Sequence, residues 1–341
     1  MNDKPIAISE GFQKKPSFIY TGIMKIAVLD AYALNPGDLS WTWLKEFGNA
    51  DIYDSSTPEE AIERSKGKDA IIINKIVIGK NELDQLPDLR YIGVSATGYN
   101  VVDIEECRKR GITVTNIPAY STDSVAELVF ALLLEYSRRT AHHENRVRHG
   151  AWENSPIFTF WDYPQMELSG KTFGIIGMGS IGRKVAGIAD AFDMKVIYSS
   201  RSEKEDLKAR GYSFVTREDL FRNADIISLH TPMTSDTDRM INRETLSIMK
   251  KDAILINTSR GGLIDEDALY DALAEKRIAA ALVDVLAEEP PRNDNRLLAL
   301  DNFFATPHIA WATKEARTRL MEILKDNLEA FQKGSPINQI V

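Results

Sequence analysis

The sequence feature that most constrains the fold is an alternation, from Met24 onwards, of short runs rich in β-branched residues with longer stretches of helical pattern. This alternation is typical of βαβ units, in which helices join parallel strands. The runs form two series. The first predicts strands at residues 25–30, 50–53, 70–74, 91–94 and 112–115, and the second at 173–177, 195–198, 225–229, 253–257, 280–283 and 303–305. We therefore predict an α/β fold with two doubly wound parallel sheets.

The segments that flank the second series predict how the chain divides into domains. Ser124 and Glu127 have the spacing of a capping box, in which two side chains satisfy free backbone donors at a helix start, so a long helix is expected from Ser124 to Gly150. A last amphipathic helix is expected over 314–333, and we expect it to return to the first sheet. The predicted domains are residues 24–121 with 313–341, and residues 122–312, while residues 1–23 are interpreted as an N-terminal extension.

Composition argues against several classes of function. The 42 Lys and Arg residues are outnumbered by 50 Asp and Glu residues, and the net charge of −8 argues against binding to nucleic acid or to an acidic membrane surface. The longest nearly apolar stretch, 125–134, is far shorter than a membrane span. A single cysteine, Cys107, allows no internal disulfide and favours a reducing compartment such as the cytoplasm. His142, His143 and His149 lack acidic or cysteine partners at zinc-like spacing, so no metal site is predicted.

A glycine pattern at the start of the second series predicts a dinucleotide site. Gly177, Gly179 and Gly182 form G-x-G-x-x-G between a predicted strand and a predicted helix, a context that makes an otherwise weak pattern specific. A side chain at these glycines would keep the backbone away from a pyrophosphate, whose charge lies at the helix N-terminus. A glycine-rich turn without a ligand is the alternative. We expect cofactor contacts from Gly177, Gly179, Ser180, Ile181 and Gly182.

The residues after the next strand bear on which nicotinamide cofactor binds. A carboxylate at this point accepts hydrogen bonds from the ribose 2′-hydroxyl of NAD and repels the 2′-phosphate of NADP. The strand ends instead with Ser199, Ser200, Arg201 and Ser202, and the side chains of Ser200 and Arg201 can hold a phosphate by charge-assisted hydrogen bonds. We therefore predict that NADP(H) is favoured over NAD(H). The alternative is that Arg201 is a solvated surface residue and that NAD is used.

Three further motifs follow strands of the second series, where the ligands of an open α/β sheet gather. An arginine, a carboxylate and a histidine at successive strand ends beside a dinucleotide site form a set suited to hydride transfer. Taken singly, the arginine could be a surface ion-pair partner and the histidine a structural residue. The motifs are Asn257-Thr258-Ser259-Arg260-Gly261-Gly262, Asp284-Val285-Leu286-Ala287-Glu288-Glu289-Pro290 and Thr306-Pro307-His308-Ile309-Ala310-Trp311.

With these motifs the sequence resembles the D-specific 2-hydroxyacid dehydrogenase family from about Met24 to Asn338. The resemblance implies a flavodoxin-like substrate domain and a Rossmann dinucleotide domain, with an active-site cleft between them. It also implies that Arg260 binds the substrate, that His308 donates the proton, and that Glu289, the glutamate directly before proline, supports the histidine. Further cofactor contacts are implied for His230, Thr231, Pro232, Thr258, Ser259, Arg260, Asp284 and His308.

The implied chemistry accounts for these residue types. When a hydride reaches the C2 carbonyl of a 2-oxo acid, negative charge grows on the oxygen, and a protonated imidazole can neutralise it by proton transfer. A carboxylate beside the imidazole, here Glu289, favours its charged form. A planar guanidinium such as that of Arg260 fixes a carboxylate or a polarised carbonyl in one orientation, which a lysine does not.

The first domain is expected to bind the substrate. Residues 95–100 resemble the family's loop whose backbone amides bind the substrate carboxylate, although a simple β–α turn is the alternative. Residues 74–75, 120–127 and 308–313 look most like the glycerate dehydrogenase and hydroxypyruvate reductase branch of the family. The expected substrate contacts are Lys75, Ala96, Thr97, Gly98 and Arg260.

The predicted activity is the NAD(P)H-dependent reduction of a small 2-oxo acid to the D-2-hydroxy acid, and the reverse oxidation. Hydroxypyruvate is the expected substrate and glyoxylate a natural second one. A dehydrogenase of another 2-hydroxy acid, such as D-lactate, and a nucleotide-sensing binding protein on the same fold are the alternatives. A homodimer is expected because the segment after Ser124 resembles the family's dimerisation helix and loop, and because Trp152 and Trp161 suit open solvent poorly.

Overall fold

The computed structural model describes residues 22–341, so the N-terminal extension predicted at 1–23 lies almost entirely outside the described residues. The chain forms two compact units. The first runs to Tyr120 and is completed by Arg317–Val341, and the second is Ser121–Ala316. Within residues 22–341, no helix has both the length and the apolar character needed to cross a membrane.

The first unit is built on a five-stranded parallel sheet. Its strands are β1 (Met24–Val28), β2 (Gly48–Ile52), β3 (Ala70–Ile73), β4 (Tyr91–Val94) and β5 (Thr113–Thr115). Its connections contain the helices α1 (Pro58–Ser65), α2 (Lys80–Leu83) and α3 (Ile104–Arg110), and 3-10 turns at Ala31–Ala33 and Thr42–Glu46. The spatial order β2-β1-β3-β4-β5 is that of flavodoxin-like sheets, as predicted.

The second unit is built on a seven-stranded parallel sheet in the order β12-β11-β10-β9-β6-β7-β8. The strands are β6 (Thr172–Ile176), β7 (Lys195–Ser199), β8 (Ser213–Phe214), β9 (Ile226–Leu229), β10 (Ile254–Asn257), β11 (Ala280–Val283) and β12 (Phe303–Ala305). The helices are α4 (Thr122–Arg138), α5 (Thr140–Arg148), α6 (Ser180–Ala191), α7 (Glu205–Lys208), α8 (Arg217–Asn223), α9 (Arg243–Ile248) and α10 (Glu266–Ala274), with 3-10 turns at Gly261–Leu263 and Arg296–Ala299. This is the Rossmann order with one further strand, and its direction switches between β6 and β9.

The central strands of the second unit form a buried platform. Every residue of β9, β10 and β11 is buried, as expected for a parallel sheet that is covered on both faces. Helices α4 and α6 contribute to the core on one face, where Phe130 stacks on Phe173 with ring centroids 5.7 Å apart. Helices α8, α9 and α10 contribute to the other core. The loops at the carboxyl ends of these strands therefore rest on a rigid base.

The last helix, α11 (Lys314–Gln332), packs against the first sheet. Its Leu324 contacts Gly93, where an added Cβ would lie 3.1 Å from the leucine Cδ1. Its Phe331 ring lies 4.8 Å from the ring of Tyr91, and Asn327 Nδ2 donates to the carbonyl of Asn116 at 2.9 Å. The chain after α11 then bonds along the edge of β5, where the backbone N–H of Val114 donates to the carbonyl of Val341.

The sequence prediction is wrong about the helix that was expected from Ser124 to Gly150. The helix starts at Thr122, and Ser124 lies inside its first turn with its hydroxyl donating to the carbonyl of Ala310 at 2.5 Å, so Ser124 does not cap the helix. The helix also breaks at Arg139, which has φ +50° and separates α4 from α5. The Arg139 guanidinium lies over the ring of Phe304, 4.4 Å from its centroid. Both differences come from tertiary contacts that a local pattern does not contain.

The sequence prediction also misses a strand of the second unit. Six strands were predicted there, and the structure adds β8, a two-residue strand at the edge of the sheet. Ser213 and Phe214 are both exposed and carry no strand periodicity. The strand exists because these residues pair with Ile197 and Tyr198 of β7.

Candidate active site

Three glycines shape the turn between β6 and α6. Gly177 has φ +95°, in the left-handed region, and a Cβ there would lie 2.3 Å from the carbonyl oxygen of His230. A Cβ on Gly182 would lie 2.2 Å from the carbonyl oxygen of Gly177, so only glycine lets the helix start this close to the strand. A Cβ on Gly179, in contrast, would meet no described atom within 4 Å. The space before the first helical residues, Ser180 and Ile181, is therefore open to a pyrophosphate.

Two buried polar atoms at neighbouring strand ends have no hydrogen-bond partner within the part of the chain that the structure describes. They are Nδ1 of His230, after β9, and Oγ1 of Thr258, after β10. Burial lowers the pKa of His230 to about 3, so its ring is neutral at neutral pH, and its Nε2 lies 2.8 Å from Oγ of Ser228. A buried polar atom without a partner costs about 1–3 kcal/mol, so both atoms suit a polar ligand. With the glycine turn, they fit a nicotinamide dinucleotide.

Residues 200–202, directly after β7, carry two hydroxyls and one arginine, and the first carboxylate beyond them is that of Glu203. Residues 195–202 contain no Asp or Glu. The hydroxyl of Ser200 donates to the carbonyl of Ser202 at 2.7 Å, and Lys204 Nζ donates to Oγ of Ser202 at 3.0 Å. Arg201 is exposed and forms no ion pair with residues 22–341. Hydroxyls and a guanidinium of this kind can bind an anionic group by charge-assisted hydrogen bonds.

Asn257, at the end of β10, holds the turn that carries Arg260. Its Nδ2 donates to the carbonyl of Arg260 at 2.8 Å, and its Oδ1 accepts from the backbone N–H of Ser259 at 3.0 Å. The hydroxyl of Ser259 is bound to the carbonyl of Leu229 at 2.6 Å. Asn257 is fully buried while Arg260 is exposed, and Nη1 of Arg260 donates to the carbonyl of Ser259 at 2.7 Å, so a buried asparagine holds the turn that presents an exposed guanidinium. Asn257 belongs to one of the three motifs in the sequence, but the motif alone did not predict this role.

The turn of Arg260 fits against the loop that carries Glu289. A Cβ on Gly261 would lie 2.0 Å from the carbonyl oxygen of Leu286 and 2.3 Å from the backbone nitrogen of Ala287. The backbone N–H of Leu286 in turn donates to Oε1 of Glu289 at 3.0 Å. The two sequence motifs are therefore in direct contact, and a side chain at position 261 would force them apart.

His308 and Glu289 form a hydrogen-bonded pair. Nδ1 of His308 lies 2.6 Å from Oε2 of Glu289. Nε2 of the same ring has no hydrogen-bond partner among residues 22–341, and the side chain is partly exposed. Glu288, the neighbouring carboxylate, forms an ion pair with Arg292 at 2.8 Å instead. The arrangement is that of an imidazole oriented through one nitrogen and free to exchange a proton at the other.

Asp284 organises the turn in which His308 sits. Its buried carboxylate accepts hydrogen bonds from the hydroxyl of Thr306 at 2.6 Å and from the backbone N–H groups of Ile309 at 2.8 Å and Ala310 at 2.7 Å. These bonds hold the side chain of Thr306 before His308 and the backbone after it, and His308 itself has φ +55°. A left-handed histidine costs of order 1 kcal/mol, and such strain persists only where the surroundings hold it. Asp284 was predicted to contact the cofactor, and the structure gives it this second role.

In the first unit, a buried carboxylate fixes the loop of Lys75. Asp30, at the end of β1, accepts from the backbone N–H groups of Asn74 at 2.8 Å and of Lys75 at 2.6 Å. Burial raises the pKa of Asp30, and the bonds to these amides oppose the shift. The side chain of Asn74 donates to the carbonyl of Ser95 at 2.8 Å. Asp30 and Asn74 thus connect the ends of three strands, and the side chain of Lys75 is left exposed.

The loop after β4 presents three consecutive amides. The backbone N–H groups of Ala96, Thr97 and Gly98 donate to no acceptor within the described range of 22–341. Other bonds hold the loop itself, since the hydroxyl of Thr97 donates to the carbonyl of Ile117 at 2.8 Å and Asn116 Nδ2 donates to the carbonyl of Thr97 at 2.8 Å. Successive free N–H groups in a fixed turn form a typical anion site.

Comparisons with known proteins find relatives that match most of the chain. Residues 130–310 match the model of the family described as "D-isomer specific 2-hydroxyacid dehydrogenase, NAD binding domain". The chain is 44% identical over 320 residues to the hydroxypyruvate reductase of Blautia hydrogenotrophica, covering 93% of this chain and 99% of that protein. It is 41% identical over 319 residues to the glycerate dehydrogenase of Methylorubrum extorquens, covering 93% of this chain and 98% of that protein.

A solved structure is similar over nearly the whole chain. It is that of the NADPH-dependent glyoxylate/hydroxypyruvate reductase of Sinorhizobium meliloti in complex with NADP and malonate. The TM-score is 0.79 with 27% sequence identity, and the match covers 94% of this chain and 97% of that one.

Proposed function

Because the chain belongs to the D-isomer specific 2-hydroxyacid dehydrogenase family, a family of NAD(P)-dependent oxidoreductases, we propose that it reduces hydroxypyruvate, and glyoxylate as a second substrate, to the corresponding 2-hydroxy acids. The relatives named hydroxypyruvate reductase, glycerate dehydrogenase and glyoxylate/hydroxypyruvate reductase support this substrate class. The observation that carries the proposal is the pair of Glu289 and His308, joined at 2.6 Å. The same residues serve the reverse oxidation.

His308 is the proposed acid of the reaction. When bound at the glycine turn, a dihydronicotinamide cofactor would supply the hydride for the carbonyl carbon of the substrate. His308 then delivers its proton from Nε2 to the carbonyl oxygen, where negative charge grows. Glu289 accepts from Nδ1, which fixes the orientation of the ring and stabilises the imidazolium before the transfer. In the oxidation the neutral imidazole takes the hydroxyl proton back.

Backbone amides and two cations are the proposed ligands of the substrate carboxylate. The three amides of residues 96–98 supply fixed donors, and Lys75 supplies a charge from a loop held by Asp30. Arg260 supplies a planar pair of donors that fixes the plane of the 2-oxo acid. A substrate without a carboxylate would lose the interactions with the three amides and with Lys75, so we expect selectivity for 2-oxo acids over aldehydes and ketones of similar size.

The proposed preference for NADP(H) depends on the segment after β7. The 2′-phosphate of NADP carries charge that Arg201 and the hydroxyl of Ser200 can bind, and no carboxylate within residues 195–202 would repel it. The proposed contacts to the remainder of the cofactor come from the glycine turn and from Ser180, Ile181, His230, Thr231, Pro232, Thr258, Ser259, Arg260, Asp284 and His308.

We also propose a homodimer, formed through α5 and the loop that follows it. Large apolar side chains crowd this loop, and Trp152, Phe158 and Trp161 are 55%, 87% and 64% exposed. The loop is held to α5 by Asp162, whose carboxylate lies 2.7 Å from Nε2 of His142 and whose backbone N–H donates to Nε2 of His143 at 3.2 Å. A fixed apolar surface of this kind is typical of a contact with a second protein surface.

The loss of nicotinamide absorbance on mixing the protein with 2-oxo acids tests the proposed activity. We expect turnover with hydroxypyruvate and, at lower kcat/KM, with glyoxylate, and less with pyruvate. The variant His308→Asn should lose at most a few-fold in NADPH affinity, by fluorescence titration, because it removes one of many proposed cofactor contacts, while its kcat falls by at least about 100-fold. Absence of turnover with the whole panel would favour the nucleotide-sensing binding protein, and a preference for pyruvate would favour a D-lactate dehydrogenase.

A further inference from the structure

We propose that Glu266, in the first turn of α10, is a positioning residue for the pair of Glu289 and His308. The proposal rests on the proposed function, since it assigns Glu266 to the proton-donating site. Glu266 does not touch His308 in the described contacts, and the sequence motifs give it no role. Its effect would pass through the loop that carries Glu289.

The carboxylate of Glu266 reaches away from its own helix and holds both ends of that loop. Oε1 accepts from the backbone N–H of Ala287 at 2.7 Å, just before Glu288 and Glu289. Oε2 accepts from Asn295 Nδ2 at 3.5 Å, where the loop enters the 3-10 turn at Arg296–Ala299. One side chain thus spans the segment 287–295 from end to end. A bond from a carboxylate to a backbone N–H is charge-assisted and stronger than a neutral one.

The helix itself does not require this carboxylate. Asp265 caps α10 by accepting from the backbone N–H of Ala268 at 3.1 Å. The first turn also contains Asp267, which is exposed and interacts with the helix dipole in the same way as any acidic residue there. What separates Glu266 from Asp267 is therefore its bond to Ala287. This contrast makes Asp267 a matched control.

Loss of the bond between Glu266 and the backbone N–H of Ala287 should change the surroundings of His308. The Leu286 N–H that holds Oε1 of Glu289 precedes Ala287 directly, so a loop released at Ala287 no longer fixes the carboxylate 2.6 Å from Nδ1 of His308. A histidine with a displaced carboxylate is protonated less readily, and the reduction needs the protonated ring. The upper limit of the pH range for reduction should then move to lower pH. Asp284, the other carboxylate that the structure places at the His308 turn, keeps its bonds to Ile309 and Ala310.

The substitutions that test the proposal separate the effect of side-chain length at position 266 from the effect of its charge. Glu266→Ala removes the acceptor. Glu266→Asp keeps the charge but is one methylene too short to reach Ala287, and it serves if the alanine variant does not fold. Glu266→Gln keeps an acceptor oxygen for the Ala287 N–H and loses the long bond from Asn295, and it should restore the wild-type pH profile because the Ala287 bond lies next to Glu289. Asp267→Asn removes a neighbouring charge without touching the loop.

The measurement is the kcat/KM for hydroxypyruvate and NADPH between about pH 5 and pH 9. For Glu266→Ala and Glu266→Asp we expect a loss of about 10- to 100-fold at neutral pH and a shift of the upper limit to lower pH. NADPH binding, followed by fluorescence, should stay within about twofold of the wild type, and Glu266→Gln and Asp267→Asn should match the wild type.

Two results would overturn the proposal. Both can be told apart from a failure of the proposed function, because in both the wild type is active. One is a wild-type pH profile in Glu266→Ala or Glu266→Asp, even if the melting temperature falls, because that pattern marks a purely structural residue. The other is an equal shift in Asp267→Asn, because a general charge effect would then be the cause. If the wild type itself turns over no 2-oxo acid, the proposed function fails and the positioning role fails with it.

Discussion

His308 is held by Glu289 through Nδ1, at 2.6 Å, and its Nε2 makes no hydrogen bond to any residue in the range 22–341. The two nitrogens of one ring thus have different surroundings, one bonded and one without a partner among these residues. Because Glu289 is itself held by the backbone N–H of Leu286, the orientation of the imidazole is set by a fixed loop and does not depend on the substrate.

The first prediction separates the two adjacent glutamates. Glu289→Gln places an amide against Nδ1 of His308 and removes the charge that stabilises the imidazolium, so kcat for hydroxypyruvate reduction should fall by about 100-fold and the active pH range should move downwards. Glu288→Gln removes an exposed ion pair with Arg292 and should change kcat by less than about twofold. Steady-state kinetics as a function of pH measure both. Equal effects in the two variants would contradict the assignment of Glu289.

The second prediction concerns Asp284. Asp284→Asn replaces one carboxylate oxygen by an NH2 group, which faces the N–H of either Ile309 or Ala310 and cannot accept from it, and this should lower the free energy of unfolding by about 2–3 kcal/mol. The left-handed turn at His308 should relax, so kcat should fall as well. Thr306→Val removes only one donor to the same carboxylate and should cost about 1 kcal/mol. Urea unfolding and kinetics on both variants measure the effects, and an Asp284→Asn protein as stable as Thr306→Val would refute the role of Asp284.

The third prediction is a pH dependence of stability. Burial lowers the pKa of His230 to about 3, whereas in the unfolded chain a histidine titrates near its ordinary value of about 6.5. Below that value the unfolded chain binds a proton that the folded chain does not, so stability falls as the pH falls towards 3. The free energy of unfolding decreases between pH 7 and pH 5. This decrease should be smaller in His230→Asn than in the wild type, by roughly 1–2 kcal/mol. Substitution of the exposed His149 should leave the slope unchanged, and a slope unaltered in His230→Asn would contradict the burial argument.

The fourth prediction concerns Arg201. Arg201→Ala removes a charge-assisted partner of the 2′-phosphate, so kcat/KM with NADPH should fall by about 10- to 100-fold. The kcat/KM of the same variant with NADH should equal that of the wild type, because NADH has no phosphate at this position. Kinetics with the two cofactors provide an internal control. An equal loss with both, or a wild type that prefers NADH, would refute the proposed preference.

Local sequence signals predicted those elements whose causes are local. Strand β11 was predicted at its observed bounds, Ala280–Val283, because its four apolar residues form a continuous buried run. The predicted fold class is confirmed, since both parallel sheets follow from runs of buried residues such as β3 and β4. Strand β8 was missed because its two exposed residues form a strand only through their pairing with β7.

The candidate site shows the same division between local and distant causes. Arg260, Glu289 and His308 could be named from motifs, and their roles stay predictions. Asp30 and Glu266 could not be found, because Asp30 binds the amide of Asn74, 44 residues away, and Glu266 binds that of Ala287, 21 residues away. A backbone amide has no signature in the sequence, so an acidic residue that holds one is indistinguishable from a solvated one until the fold is known. The role of Asn257 could have been predicted from the sequence, because an asparagine at a strand end commonly forms a local turn.

The last prediction concerns the exposed aromatic loop after α5. Light scattering of the wild type should give about twice the chain mass of 38.3 kDa, because Trp152, Phe158 and Trp161 form an apolar surface that a second copy can cover. Phe158→Asp places a charge at the most exposed of these rings and should shift the protein towards the monomer at micromolar concentration, since an unpaired buried charge is costly. Val77→Asp, at an apolar side chain that is 66% exposed in the first unit, should leave the mass unchanged. A wild type that scatters as a monomer, or a dimer that Phe158→Asp leaves intact, would show that the loop serves another purpose.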